Sequence, residues 1–119
     1  RRVGGFDVVA SRYGTLMQGT TEIALTKLDV LSYLDKIPVC TQYEVGGALI
    51  DNFPNGSMLA EAKPHYEYVE GWHCDISGCR SFDELPKAAR DYVEMIEKAV
   101  GCPIKYVSVG AGRDEYIER

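Results

Sequence analysis

Residues Leu85 to Gly101 read LPKAARDYVEMIEKAVG, and the spacing within this stretch decides the fold. Ala89, Tyr92, Val93, Ile96 and Val100 recur at helical intervals and so share one face of a helix. Pro86 suits the first helical turn and Gly101 the left-handed position that ends it, which predicts one long helix over about residues 86–100. Pro103 blocks continuation. Beyond it, Ile104-Lys105-Tyr106-Val107-Ser108-Val109 reads as a buried strand ending in the loop Gly110-Ala111-Gly112-Arg113.

Upstream of that pair, DVVASRYGTLMQG sets Val9, Tyr13 and Met17 four apart, with Asp7 as an N-cap and Gly19 as a stop, and predicts a short helix. Glu22 to Thr26 is strand-like and runs into a polar, charged cluster. The next apolar stretch, Val30, Leu31 and Leu34, suits a short helix. Ile37 to Val45 is β-branched and aromatic, and Gly46-Gly47 offers a two-residue turn into Ala48-Leu49-Ile50, the pattern of a hairpin. Asp51 to Pro64 collects turn formers, including an Asn55-Gly56 turn. His65 to Val69 resumes a strand, and the chain from there to Arg80 reads as irregular. Without repeats or heptads, the fold class is α/β in the mixed sense: short strands, one long helix and a strand ending in a Gly-rich loop.

The 119 residues suit a single domain at roughly 150 residues per domain. A net charge of −5 argues against a nucleic-acid partner or an anionic membrane surface. No stretch reaches the roughly 18 apolar residues of a membrane span, and nothing resembles a signal peptide, so the expected compartment is the cytoplasm. Cys40, Cys74, Cys79 and Cys102 have no disulfide-framework spacing and are expected to be free, mostly buried thiols. The chain opens at Arg1 without an initiating Met, and a fragment of a longer protein is expected.

Two places could carry binding chemistry. Thr26-Lys27-Leu28-Asp29 falls where a strand ends, the usual ligand position in an open α/β sheet. An ionised Asp29 can accept in parallel from the ring N1–H and exocyclic amine of guanine, a donor pair adenine lacks, and Lys27 can lay its methylene stem over the base. The same Lys-x-Asp pair also suits a solvated loop or the cap of a following helix. At the second place, Ser108-Val109-Gly110 and its Gly-rich turn offer backbone N–H groups and a hydroxyl to a base or phosphate, or make a plain turn between strands. No complete phosphate-binding loop is present. His73, Cys74 and Cys79, with His65 nearby, fit no strong zinc spacing, and no metal ligand or catalytic residue is assigned within the segment.

Five ordered segments, RRVGGFD at the start, LTKLDVL, KPHYEYVEGWHCD, ELPKAARDYVEMIE and GCPIKYVSVGAGRDEYI, together resemble the C-terminal part of the adenylosuccinate synthetase family. The resemblance implies that residues 1–119 are the C-terminal guanine-binding fragment of a larger, P-loop-related enzyme. That parent would be a cytoplasmic homodimer, a GTP-dependent C–N ligase of purine and AMP biosynthesis. It would condense IMP with L-aspartate, using GTP as co-substrate and Mg2+, to adenylosuccinate, GDP and phosphate. By the same resemblance Lys27, Leu28 and Asp29 form the base pocket, and Ser108, Val109 and Gly110 close its other side. Arg1 and Arg2 end a substrate loop that binds aspartate, with Arg1 reaching GTP. The phosphate loop, catalytic groups and magnesium ligands would lie in the N-terminal remainder of the enzyme, and the fragment alone is expected to be inactive. A free-standing guanine-binding module and a structural domain without catalysis are the alternatives. The sequence departs from the family pattern at Gly5, where Trp is common, at Ala111, where Pro is frequent, and at Glu115-Tyr116.

Overall fold

A computed structural model describes residues 5–119, so the expectations at Arg1 and Arg2 lie outside the described residues. The predicted long helix, here α3, spans Lys87–Val100. Pro86 occupies the N-cap one residue before it, and its carbonyl accepts from Arg90 N–H at 3.0 Å. All five residues of the predicted face are buried, and Gly101 ends the helix at φ 79°, its N–H reaching the Glu97 carbonyl at 2.9 Å.

The strands form two sheets. In the first, β1 (Phe6–Asp7) pairs parallel with β3 (Lys36–Val45), which pairs antiparallel with β4 (Ala48–Ile50) and with β5 (Lys63–Glu70). In the second, β2 (Ile23–Leu25) runs parallel to β6 (Ile104–Ser108), and β7 (Tyr116–Glu118) pairs antiparallel with β6. The architecture is mixed α/β, as expected. Between the sheets lies one core in which Ile37 and Val39 of β3, Val93 and Ile96 of α3, Val107 of β6 and Ile117 of β7 are fully buried. The predicted hairpin forms between β3 and β4: Val45 pairs with Ala48, and Gly46 and Gly47 both take positive φ, the geometry that a two-residue turn needs and that glycine supplies without strain.

Helix α1 (Val8–Gln18) starts and stops where the sequence places its caps. Asp7 accepts from Ala10 N–H at 2.9 Å, and Gly19 is left-handed at φ 63°. Its face differs from the expected one. Val8 and Val9 are buried, Tyr13 lies half-open in a 4.7 Å stack on Phe53, and Met17 is 66% exposed. The four-residue spacing identified the helix but not the length of it that finds a packing partner. Asp7 also accepts from the Tyr43 hydroxyl at 2.5 Å, so one carboxylate both caps α1 and ties it to β3. The buried thiol of Cys40, next to this carboxylate, is pushed up by burial and then by the Asp7 charge.

Three local readings need correction. Asn55-Gly56 is not a turn: the Asn55 side chain caps a short helix, α2 (Gly56–Glu61), by accepting from Met58 N–H. The short helix expected at Val30 to Leu34 is a 3₁₀ helix that starts earlier and is shorter, over Leu28–Leu31. The two-residue β1 and the three-residue β7 were not anticipated, since neither is long enough to show a period. Strand β5 extends the expected His65–Val69 run at both ends, and residues 71–80 are irregular as read. The cysteines are all free; Cys40 and Cys102 are buried, Cys79 is intermediate and Cys74 is exposed.

Gly71 sits where two backbones meet. Its N–H donates to the Asp35 carbonyl at 3.0 Å, and a Cβ here would lie 2.0 Å from the Leu34 carbonyl oxygen. No side-chain rotation relieves a clash with backbone, so Gly71→Ala should cost about 1–3 kcal/mol, read as a lower urea midpoint of the full-length protein. Tyr92 offers a second test. Burial pushes its hydroxyl up to about 12 from an ordinary value of 10.0. Its contribution is therefore intact below pH 10, where both folded and unfolded forms are protonated, and is lost as pH rises from 10 through 12. Tyr92→Phe should flatten the alkaline fall in stability across that window.

Candidate functional site

The parallel pairing of β2 and β6 brings the two predicted segments together. Leu25 pairs with Val107, so Thr26 and Ser108 each follow directly at the carboxyl end of neighbouring strands. One backbone and one side-chain acceptor support this pairing: Ile23 N–H donates to the Pro103 carbonyl at 2.8 Å, and the Glu97 carboxylate of α3 accepts from Ile104 N–H at 2.8 Å. Beside these strand ends lies a cavity of about 340 Å³ lined by Ala24, Thr26, Tyr106, Ser108, Arg113 and Glu115, among others. Its volume falls in the range of small-ligand sites.

Beyond Thr26 the chain turns sharply. Lys27 adopts the left-handed conformation at φ 63°, which costs a non-glycine residue of order 1 kcal/mol and flags the turn as functionally interesting. The 3₁₀ turn that follows is closed by Val30 N–H on the Lys27 carbonyl and Ser32 N–H on the Asp29 carbonyl. Trp72 anchors it from below: the indole N–H donates to Ser32 Oγ at 2.9 Å while the ring meets Tyr92 edge to face.

The structure distributes the predicted residues unevenly around this turn. Leu28 is a core residue at 1% exposure, so only its backbone is free to meet a ligand. Lys27 is exposed and borders a smaller cavity of about 150 Å³ with Phe6, Pro38 and Tyr92. Asp29 lines an open depression with Ser32, Tyr33, His73 and Asp75, separate from the cavity that Ser108 lines. Val109 is fully buried, and its N–H is taken by the Glu115 carbonyl at 2.8 Å. Ser108 is half-buried and its hydroxyl donates to the Gly110 carbonyl at 3.1 Å.

Among the residues weighed as metal ligands, His73 pairs with Asp35 at 3.1 Å, His65 lies within β5, and the Cys79 thiol donates to the Glu84 carbonyl at 3.5 Å. No group of three or more His, Cys, Asp or Glu among the described residues is placed to hold a metal ion. No helix among them is long and apolar enough to cross a membrane.

Glu115, Tyr106 and Tyr116 of the 340 Å³ cavity were not singled out as binding residues from sequence. The available signal was the glycine pair. Gly110 and Gly112 leave room for a side chain to lie against the loop, and that side chain is Glu115: a Cβ at Gly110 would lie 2.5 Å from its carboxylate carbon. Gly110→Ala should therefore displace the carboxylate from Gly112 N–H, which it holds at 2.7 Å, and speed hydrogen exchange at the Gly112 amide of the full-length protein by about tenfold.

Comparisons with known proteins match the whole of this arrangement to one group. The family model described as adenylosuccinate synthetase matches residues 1–117. An adenylosuccinate synthetase of Mycolicibacterium vanbaalenii is 50% identical over 120 residues, covering 100% of this chain and 28% of that protein. One from Syntrophotalea carbinolica is 48% identical over 99% of the chain. The solved structure of a fully ligated adenylosuccinate synthetase from Plasmodium falciparum superposes with a TM-score of 0.88 at 36% identity, over 96% of this chain and 28% of its own. The chain thus spans little more than a quarter of the length of these relatives.

Proposed function

The chain belongs to the adenylosuccinate synthetase family, and from that membership we propose that its parent protein condenses IMP with L-aspartate, at the expense of GTP, to adenylosuccinate, GDP and phosphate. Within that enzyme the present segment binds the guanine of GTP. The observation that carries the assignment is the junction of Thr26 and Ser108 at the carboxyl ends of parallel β2 and β6, beside a ligand-sized cavity. Open α/β sheets bind their ligands outside such strand ends.

The chemistry required of this segment is positioning. Ser108 and the backbone around Gly110 line one side of the base, and the Lys27 stem covers its face. In this reading the Asp29 carboxylate accepts from the N1–H and amine edge of the base. Guanine held at this point fixes where the γ-phosphate can reach, which is a proximity effect on phosphoryl transfer to the 6-oxygen of IMP. That transfer turns a poor leaving group into phosphate, and the aspartate amine then displaces it. Arg1 and Arg2, as the end of the substrate loop, balance the aspartate carboxylates, with Arg1 also reaching GTP. By the same family reading the Mg2+ ligands and the catalytic groups belong with the N-terminal remainder, and the 119 residues alone are expected to turn nothing over. A homodimer in the cytoplasm completes the reading for the parent enzyme.

The test is adenylosuccinate formation by the parent-length protein supplied with GTP and, separately, with ATP. Product with GTP and little with ATP is expected. Asp29→Asn leaves one of the two donor contacts unmade and should cost about 2–4 kcal/mol of transition-state stabilisation, read from the fall in kcat/KM for GTP in initial rates. An unchanged GTP preference in that variant would sink the base assignment.

A further inference from the structure

The loop after β6 holds its shape by an unusual route. Beyond the buried Val109, residues 110–112 are two glycines and an alanine with little side-chain surface to pack, so this turn has much conformational freedom to lose on ordering. Two backbone bonds close it, Val109 N–H to the Glu115 carbonyl at 2.8 Å and Glu115 N–H to the Gly112 carbonyl at 3.1 Å. Two side chains add to these: the Ser108 hydroxyl donates to the Gly110 carbonyl at 3.1 Å, and Glu115 folds back so that Oε1 accepts from Gly112 N–H at 2.7 Å. Its carboxylate fills the space where Cβ atoms of residues 110 and 112 would stand, 2.5 and 2.6 Å from those positions. The same side chain lines the cavity shared with Thr26 and Ser108.

We propose that Glu115 is a positioning residue for the nucleotide base: its carboxylate clamps the Gly110–Gly112 turn in the shape that presents Ser108 and the Gly110 backbone to the base. This rests on the guanine reading given above. Glu115 acts through the loop, holding in advance an arrangement that a bound base would otherwise have to order, so its loss weakens base binding without touching the transfer step.

Steady-state kinetics of the full-length enzyme separate this role from general support of the fold. Glu115→Ala removes a hydrogen bond to a charged group and is expected to raise KM for GTP about tenfold, with kcat at saturating GTP and the KM values for IMP and aspartate unchanged. Glu115→Gln keeps an acceptor at the same reach and should return KM to within about threefold of the parent value. Glu115→Asp, one methylene short, should behave like the alanine variant and serves in its place if that variant does not fold. An unchanged KM for GTP, or an equal rise in all three KM values, overturns the positioning role. If the unaltered enzyme itself shows no preference for GTP over ATP, the guanine reading fails and this inference with it; if the preference is intact and Glu115→Ala has no effect, this inference fails alone.

Discussion

Burial of one face of α3 against two separate sheets is the constraint from which the other features descend. Val93 and Ile96 are fully buried in one cluster with Ile37 and Val39 of β3 in one sheet and with Val107 of β6 and Ile117 of β7 in the other, and neither sheet is large enough to bury its apolar face alone. The helix also sets the start of β6. Gly101 ends α3, two residues intervene, and the Glu97 carboxylate reaches back to accept from Ile104 N–H and from the Arg119 guanidinium. The first residue of β6 and the end of β7 are thereby tied to the last turn of α3, and the register of β6 against β2 follows.

That register is what places two distant stretches of chain side by side. Because β2 and β6 are parallel, both leave the sheet in the same direction, and the residues after Leu25 and Val107 converge. The two exits are built differently. After β2 the chain turns through a left-handed Lys27, held by the burial of Leu28 and by the Trp72–Ser32 hydrogen bond. After β6 it relies on glycines and on the returning Glu115 side chain. Each exit has a packed core residue at its base, Leu28 in one and Val109 in the other, and the glycine turn beyond Val109 adds the Glu115 carboxylate at its surface.

The aromatic and carboxylate contacts around Asp7 show the same economy elsewhere. Its side chain satisfies an orphan N–H at the start of α1 and accepts from Tyr43, linking a helix of limited burial to the center of the first sheet. Past its first turn α1 presents Leu16 and Met17 to solvent at 72% and 66% exposure. The rest of its attachment to the described fold comes from packing against α3 and β3.

The elements legible in the sequence were those with a period or a cap. The face of α3, the caps of α1 at Asp7 and Gly19, the Gly46-Gly47 hairpin and the strand before Ser108 all rest on interactions between residues a few positions apart, and such interactions leave a local pattern. The family resemblance was equally legible, because it rests on the order of residues and not on their placement. Other features needed the folded chain. Asn55 became a helix cap and not a turn, two very short strands appeared, and Asp29 and Ser108 came to line different cavities. Glu115 gained its place over two glycines in the same way. Local order was set by the sequence alone because backbone capping and helical spacing act over a single turn of chain. The meeting of Thr26 with Ser108, about eighty residues apart, was decided only by the tertiary structure, since parallel strands pair through hydrogen bonds that carry no side-chain signature of their partner.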